Sequence, residues 1–395
     1  MRKSQQLCFW RRTALLAGVL AASCLAAAAT GAAQYVIAND DVGFPFVTTV
    51  TFFAVSPGGA LTRMPQIQTG GSGISGGFFG ANRISVLKGN SQECVYASEA
   101  FTGDVVGISI SSMTIGGRAL GSPTDGGTSN GIGLVNNGKF VYASFTDSNT
   151  IGTYQVMAGC GLAFVNDVAV SGLASGVING MAVRGNMLIG TYTDGTIESF
   201  DISAGTPVSH GDKQYSAATL TSQDATYPNS IDITSDGHFA IFGDTSTAQV
   251  VEVSDISSGK LTRTVVHTSK ATISSSNIML SPDETLLYVS NTQGDSVSAY
   301  NFDKSTGRLS GGCVSGPVGA EVTNWSYLTG MSLINPSGNG GGVYVAEFGT
   351  ASGIAMITLT TSGKKCTLQE AAGSPFLDPH SLGLLSIGTF PPRAF

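Results

Sequence analysis

The segment LLYVSNTQGDSVSAYNFDKSTGRLS, residues 286–310, contains the unit from which the fold is built. Residues 286–289 form a short apolar segment, and polar and apolar residues alternate over 296–302; both patterns are typical of β-strands. A polar loop joins these two strands, and the turn Ser305-Thr306-Gly307 leads into a third strand that opens at Leu309. Glycine supplies the positive φ that tight hairpin turns need. The segment therefore predicts three consecutive antiparallel strands, which we call b, c and d.

Strand b recurs seven times along the chain. Its copies are anchored on Tyr35, Tyr96, Tyr142, Ile189, Ile241, Tyr288 and Tyr344. A further strand, a, precedes strand b and opens at Asn82, Asn130, Asn179, Asn229, Ser276, Thr329 and His380. Repeats of about fifty residues that each form one supersecondary unit indicate a closed or stacked array of equivalent sheets.

The two ends of the chain complete one another. The N-terminal repeat has strands b, c and d within residues 35–68 but no strand a before them. The C-terminus has a strand a, at about residues 381–387, with no further strands after it. Pairing the last strand with the first repeat closes the ring and removes exposed sheet edges. We therefore predict an all-β, seven-bladed β-propeller of four-stranded antiparallel blades, in a single domain over residues 34–395.

Residues 1–33 have the composition of a secretory signal peptide. Apolar residues 13–29 follow a positive segment that contains Arg2, Lys3, Arg11 and Arg12. Small residues precede Gln34, so we predict cleavage near Ala33 and export to the periplasm or the exterior. One alternative is an uncleaved anchor, for which the apolar stretch is short. The other alternative is lipidation at Cys24.

The predicted mature chain is acidic, with 15 basic against 26 acidic residues and a net charge of −11. This charge argues against nucleic acid and anionic membrane surfaces as partners. No stretch after residue 33 is apolar for long enough to span a bilayer, and we expect a monomer. An exported protein permits disulfides among Cys94, Cys160, Cys313 and Cys366. The spacing is compatible with a Cys313–Cys366 bridge or with four free thiols.

Several motifs resemble those of the seven-bladed lactonase-type propellers, which include the Tyr-Val-Thr-Asn (YVTN) repeat proteins. They are Leu280-Ser281-Pro282-Asp283, Leu287-Tyr288-Val289-Ser290-Asn291, residues 294–300 and Thr306-Gly307-Arg308-Leu309. The resemblance implies the propeller fold and, for the 6-phosphogluconolactonase-like and muconate-lactonising members, an enzymatic activity. Those catalytic members typically carry Pro-Arg-His before such a strand a. This chain has Ser275-Ser276-Asn277 there, and Pro228-Asn229-Ser230 elsewhere, so the resemblance implies the fold rather than the activity.

The residues that open each strand a form the candidate ligand site. In this strand order the d–a and b–c loops share one face, and the d–a positions border the central channel. The channel mouth is predicted to be ringed by Asn82, Asn130, Asn179, Asn229, Asn277, Thr329 and His380. Asparagine offers donors and an acceptor to a sugar, another neutral polar ligand or water. Such repetition also favours a shared structural role, in which each side chain hydrogen-bonds the adjoining loop.

The sequence predicts opposite charges on the two faces of the propeller. The b–c loops on the mouth face carry Asp40, Asp41, Glu99, Asp104, Asp147, Asp194, Asp244, Asp295 and Glu347. The opposite face carries Lys88, Lys139, Lys260, Arg263, Lys304, Arg308, Lys364 and Lys365. An acidic mouth would repel an anionic lactone and suit a cation, a neutral sugar or lactone, or a basic protein segment.

A catalytic set can be assembled only from scattered residues. His380 could act as a general base on a neutral ester with Glu99 or Glu347, while Arg83 could contact an anion or oxyanion. The histidines have no zinc spacing, and the chain has no phosphate loop or Gly-x-Ser-x-Gly motif, so we predict no metal and no cofactor. The leading prediction is an exported, non-catalytic binding module. A divergent lactonase and a structural envelope protein are the alternatives.

Overall fold

The computed structural model describes residues 33–40, 46–74, 82–89, 91–120, 131–216, 228–244, 250–270, 275–316, 318, 327–334, 342–348, 352–362, 365–378, 383–384 and 386–392. By its internal contacts the chain divides into Met1–Ala33 and Gln34–Phe395. The predicted leader, with Cys24, lies outside the described residues apart from Ala33. In the second unit the described strands form seven antiparallel sheets, which confirms the predicted seven-bladed propeller. No helix within these ranges is long and apolar enough to cross a bilayer.

The strands of the first four blades follow one another along the chain. Blade 1 contains β1 (Tyr35–Asn39), β2 (Thr49–Val55) and β3 (Leu61–Gln68). Blade 2 contains β4 (Ile84–Gly89), β5 (Gln92–Glu99), β6 (Asp104–Ser109) and β7 (Thr114–Leu120). Blade 3 contains β8 (Gly131–Asn136), β9 (Phe140–Phe145), β10 (Thr150–Val156) and β11 (Leu162–Ala169). Blade 4 contains β12 (Ile178–Arg184), β13 (Met187–Tyr192), β14 (Thr196–Asp201), β15 (Val208–Ser209) and β16 (Gln214–Tyr215).

The remaining strands complete three more blades and return to the first. Blade 5 contains β17 (Pro228–Ile233), β18 (Phe239–Asp244), β19 (Val250–Ser257) and β20 (Lys260–Lys270). Blade 6 contains β21 (Ser275–Leu280), β22 (Leu286–Asn291), β23 (Ser296–Asp303) and β24 (Arg308–Val314). Blade 7 contains β25 (Tyr327–Ile334), β26 (Gly342–Phe348), β27 (Gly353–Ser362), β28 (Lys365–Glu370) and β29 (Phe376–Leu377). The last strand is β30 (Ser386–Phe390).

The ring closes by pairing between the two ends of the domain, as predicted. Strand β30 is strand a of blade 1 and pairs antiparallel with β1, with Tyr35 opposite Phe390 and Asn39 opposite Ser386. The ladder begins a few residues later than the apolar pattern suggested. Leu384 belongs to that pattern but packs into the cluster between blades 7 and 1 before the pairing starts.

Apolar packing between blades forms the core. The described residues form seven hydrophobic clusters, one at each blade boundary, so every blade is buried on both faces. The anchoring tyrosines of strand b add a polar contact. Tyr142 donates a hydrogen bond to the carbonyl of Gly205 in blade 4 at 2.9 Å, and Tyr344 donates to that of Gly59 in blade 1 at 2.7 Å. Both acceptors lie in tight turns with positive φ.

Covalent and ionic bridges also cross blade boundaries. Cys94 is bonded to Cys160 between blades 2 and 3, and Cys313 to Cys366 between blades 6 and 7. The second is the bridge that the spacing suggested, and none of the four is a free thiol. Arg63 of β3 pairs with the buried Asp378 at 2.9 Å, which ties blade 1 to the segment after blade 7.

Candidate functional site

The innermost strands enclose a cavity of about 210 Å³ on the propeller axis. Its lining comes from every blade and consists of 84–86, 134–136, 181–183, 231–233, 277–279, 331–333 and 387–389, with Asn82 and Pro392. A strand in which apolar and polar residues alternate would bury one side only. Each innermost strand has a neighbouring strand and the propeller axis beside it, so its apolar residues are consecutive in the sequence. Strand a of all seven blades therefore lines the central channel.

The channel wall is mostly apolar, and its polar side chains join neighbouring blades. Asn136 donates to Ser85 Oγ at 2.7 Å, and Ser332 donates to Thr389 Oγ1 at 3.0 Å. Asp232 is the only charged side chain among the described residues of the lining. Sequence reasoning missed Asp232. The signal was its place in the repeat, three residues after Asn229.

The predicted mouth residues have structural contacts in three blades. The carbonyl of the buried Asn179 side chain accepts hydrogen bonds from Gly180 N at 2.5 Å and Thr191 Oγ1 at 2.9 Å. The Asn277 amide donates to the Thr329 carbonyl, and Thr329 Oγ1 donates to the Leu384 carbonyl at 2.7 Å. In these blades the position that opens strand a therefore braces the wall of the channel.

Two of the predicted mouth residues line the channel. Asn82 is exposed and lines the channel. Asn277 also lines it. Asn130, His380 and the side chain of Asn229 lie outside the described residues.

Arg83, the candidate anion contact, is buried. Only 1% of its surface is exposed, and this burial lowers its pKa to about 10. Its backbone N–H donates to Ser386 Oγ of strand β30 at 3.1 Å, so the residue sits at the boundary between blades 1 and 2. The guanidinium is therefore held inside the protein, and Arg83 is not among the residues that line the cavity.

Glu99 occupies the end of strand b in blade 2 and is fully buried. It accepts hydrogen bonds from Gly71 N at 3.1 Å and from Arg118 at 2.6 Å, and Arg118 also pairs with Asp104 at 3.2 Å. Burial raises the pKa of Glu99 to about 7, against the opposing effects of a hydrogen bond with Thr69 and the charge of Arg118. These contacts hold the d–a loop that precedes blade 2.

Glu347 occupies the same place in blade 7, as the matching stretches 95–99 (VYASE) and 343–347 (VYVAE) show. Its side chain is buried, and burial raises its pKa to about 8, with the nearby Glu370 and Asp295 adding to the effect. Glu347 Oε1 has no hydrogen-bond partner within the described ranges. The group therefore keeps its proton at neutral pH, unlike an ordinary surface carboxyl.

Several acidic residues of the b–c loops serve the fold. Asp40 accepts hydrogen bonds from Thr49 N at 2.7 Å and Thr49 Oγ1 at 2.5 Å. Asp194 accepts from Ala174 N at 2.7 Å and Gly176 N at 3.0 Å, which fixes the d–a loop before blade 4. Much of the acidity that the sequence assigns to the mouth is thus used inside the loops.

The structure places Arg83, Glu99 and Glu347 at the same end of the blades but does not bring them into one described site. Arg83 lies at the boundary of blades 1 and 2, whereas Glu99 and Glu347 end strand b of blades 2 and 7. Among the described residues, no three His, Cys, Asp or Glu side chains are grouped to hold a metal ion.

These features define the chain as a seven-bladed β-propeller with a small cavity on its axis. The sequence profile of a family described as "Lactonase, 7-bladed beta-propeller" matches residues 162–374, which is more than half of the chain. The chain therefore belongs to the lactonase family of seven-bladed propellers. Among curated proteins, none matches the sequence.

Solved structures share the fold at low sequence identity. A candidate 6-phosphogluconolactonase from Bacteroides fragilis is 14% identical with a TM-score of 0.65, and covers 91% of this chain and 99% of its own. A candidate 6-phosphogluconolactonase from Bacteroides uniformis is 14% identical with a TM-score of 0.66, covering 90% and 99%. The periplasmic gluconolactonase of Pseudomonas aeruginosa is 14% identical with a TM-score of 0.56, covering 71% and 81%. At this identity the likeness shows the fold alone.

Proposed function

We propose that this chain is an exported, non-catalytic binding module that takes a small neutral or cationic ligand, such as a sugar or lactone, into its central channel. The observation that carries the proposal is the channel lining. All seven blades converge on one cavity, and its described lining contains no lysine, arginine or histidine. An anionic lactone would find no cation there, and a carbonyl group would find no basic imidazole.

The size of the cavity supports a small ligand. A volume of about 210 Å³ corresponds to about seven water molecules at about 30 Å³ each. A single sugar ring or a lactone of similar size fits this volume, whereas a polymer would have to bind outside it. The net charge of −11 predicted for the mature chain supports the same partners and disfavours nucleic acid.

Export is the second part of the proposal. The positive and apolar segments of residues 1–33 support it, and one structural neighbour is a periplasmic protein. The test is the intact mass of the protein recovered from the exported fraction. We expect an N-terminus near Gln34. Recovery of the full-length chain in the cytoplasm would contradict export.

Binding and turnover should be measured together. The purified exported protein is titrated calorimetrically with neutral sugars, neutral lactones, small amines and 6-phosphogluconolactone, and each lactone is also assayed for hydrolysis. We expect binding of neutral or cationic compounds without turnover. Val183→Trp places a large side chain in the channel and should abolish binding, while Val208→Trp, on the exposed edge of blade 4, is the matched control. Turnover that His380→Ala abolishes, with the fold intact, would refute the non-catalytic assignment.

A divergent lactonase is the second candidate, and Glu347 is the observation that favours it. A buried carboxyl with a pKa of about 8 holds a proton at neutral pH that it could donate to a leaving alcohol. In that case hydrolysis would decline above pH 8, and Glu347→Gln would abolish it. Asp147→Asn, on an exposed loop of the same face, would leave the rate unchanged.

A further inference from the structure

Two serines of the channel wall keep hydrogen-bonding capacity that their neighbours do not use. Ser85 of blade 2 and Ser332 of blade 7 are both buried in the protein and line the cavity. They pair with Tyr96 and Tyr344, the anchors of strand b in their blades, so they lie at the same level of the wall. Because blades 2 and 7 flank blade 1, the two serines lie on one side of the channel.

Ser85 offers a hydrogen-bond donor. Its Oγ atom accepts a hydrogen bond from Asn136 Nδ2 of blade 3 at 2.7 Å. A serine hydroxyl has one hydrogen and two acceptor lone pairs. Asn136 uses one lone pair, and no acceptor for the hydroxyl hydrogen lies within the described ranges. Ser85 can therefore donate a hydrogen bond to an atom of a ligand.

Ser332 offers the opposite capacity. Its hydroxyl donates to Thr389 Oγ1 at 3.0 Å, and Thr389 in turn donates to the Leu333 carbonyl at 3.0 Å. The single hydrogen of Ser332 is therefore used, while the part of the chain that the structure describes provides no donor to its lone pairs. Ser332 can accept a hydrogen bond from a ligand but has no second hydrogen to donate.

The rest of the wall at this level gives a ligand hydroxyl little to bind. In blades 3, 4 and 6 the corresponding positions are Val135, Ala182 and Met279. In blade 5 the position is Asp232, which accepts hydrogen bonds from backbone N–H groups of blades 5 and 6 within the wall. A ligand hydroxyl turned toward the apolar positions would lose its water without gaining a partner, which is costly.

We propose that the channel binds a small neutral alcohol with an apolar body, whose hydroxyl group accepts a hydrogen bond from Ser85 and donates one to Ser332. This inference rests on the proposed function and narrows it to one chemical class. A ketone or lactone can only accept, so it would engage Ser85 and not Ser332. A sugar has hydroxyl groups around its whole ring, and several of them would face the apolar wall without a partner.

Three compounds built on one ring test the class directly. Cyclohexanol has a single hydroxyl group, cyclohexanone has a carbonyl in its place, and myo-inositol has a hydroxyl group on every ring carbon. Each is titrated into the exported protein with methyl-labelled methionine. The Met181, Met279 and Met331 signals should shift on binding, whereas the signal of the exposed Met157 should not. We expect cyclohexanol to bind about fivefold more tightly than cyclohexanone, because it makes one more hydrogen bond, and inositol not to bind.

Substitutions distinguish the roles of the two serines. Ser332→Ala removes the acceptor and should make cyclohexanol and cyclohexanone bind equally. Ser85→Ala removes the donor and should weaken the binding of both compounds about fivefold. Ser111→Ala, on the exposed turn between β6 and β7, is the control and should change neither affinity. If a channel variant does not fold, the wild-type comparison of the three compounds still decides the question.

The outcomes separate this inference from the proposed function. Equal binding of cyclohexanol and cyclohexanone, or binding of inositol as tight as that of cyclohexanol, would overturn the alcohol assignment, and shifts of the channel methyl groups would then leave a ligand-binding channel. A preference for the alcohol that survives Ser332→Ala would also overturn the assignment. If only the sugars, lactones or amines shift the channel signals, the inference alone fails. If no compound shifts them, both the inference and the binding function fail.

Discussion

Glu347→Gln should make the protein more stable in alkaline solution, because the wild-type carboxyl is costly to ionise where it is buried. Its pKa rises from 4.5 to about 8 in the folded protein. Between these values the unfolded chain has lost the proton while the folded chain still holds it. The free energy of unfolding therefore falls as the pH rises from about 4.5 to about 8. Glutamine has a similar shape and no such transition.

The magnitude follows from the size of the pKa change. A change from 4.5 to about 8 corresponds to a ceiling of about 5 kcal/mol, which relaxation of the buried carboxyl would reduce. For a domain of this size, unfolding entropy scales to about 0.8 kcal/mol per degree, so the ceiling in the thermal midpoint is about 6 °C.

The assay is differential scanning calorimetry of wild type, Glu347→Gln and Asp147→Asn at pH 5, 7 and 9, with disulfides intact. The midpoint of Glu347→Gln should exceed that of wild type at pH 9, and the gap should narrow at pH 5. Glu99 also titrates near neutral pH, so the comparison is made between variants at each pH and not along one curve. A constant offset between Glu347→Gln and wild type at all three values would refute the reasoning.

Three further predictions concern a buried hydrogen bond, an ion pair and a close backbone contact. Tyr344→Phe removes the buried hydrogen bond to the Gly59 carbonyl and should cost about 1 kcal/mol in urea unfolding; no change would mean that water replaces the hydroxyl. Lys304→Met removes the 2.7 Å contact to Glu284 and should cost about 0.5 kcal/mol at pH 7. Burial opposes ionisation of Glu284, but hydrogen bonds from Lys304 and Ser235 lower its pKa. The loss of stability in Lys304→Met should therefore vanish once acid protonates the Glu284 carboxyl. A loss of stability that is independent of pH would contradict the ionic role. Gly116→Ala would place a Cβ 1.7 Å from the Gly159 carbonyl oxygen and should destabilise the boundary of blades 2 and 3 by about 1–3 kcal/mol. Gly58→Ala is the control, because a Cβ there has nothing within 4 Å, and it should have little effect. Equal unfolding midpoints for the two variants would disprove the clash.

The repeat in the sequence was sufficient to predict the blades. The anchors from Tyr35 to Tyr344 all lie in strand b of their blades, because alternating apolar residues with Gly-containing turns leave few other ways to bury both faces. Closure could be predicted from the strands that each end lacked. The outer edge of blade 4 could not be predicted from the sequence. Residues 210–213 interrupt this edge between β15 and β16, and such an insertion leaves no periodic pattern in the sequence.

The site was harder to predict because side-chain roles depend on contacts between blades. Asn179 and Thr329 share a repeat position with the exposed Asn82, and Asn277 lies one residue further along its strand a, but the three buried side chains make different hydrogen bonds. Glu99 and Glu347 looked like surface loop charges, although the structure buries both. An acidic residue stands at the position of Asp232 in one repeat only. A periodic pattern shows what the repeats share, so it could not point to this residue.

The pairing of β1 with β30 has a consequence for biogenesis. A chain that crosses a membrane from its N-terminus delivers three strands of blade 1 first and the fourth last. Until residues 386–390 emerge, blade 1 lacks its innermost strand and β1 has an unpaired edge, which is vulnerable to proteases and to pairing with other chains. Deleting those few residues should therefore lower the yield of folded protein far more than their small share of the mass suggests.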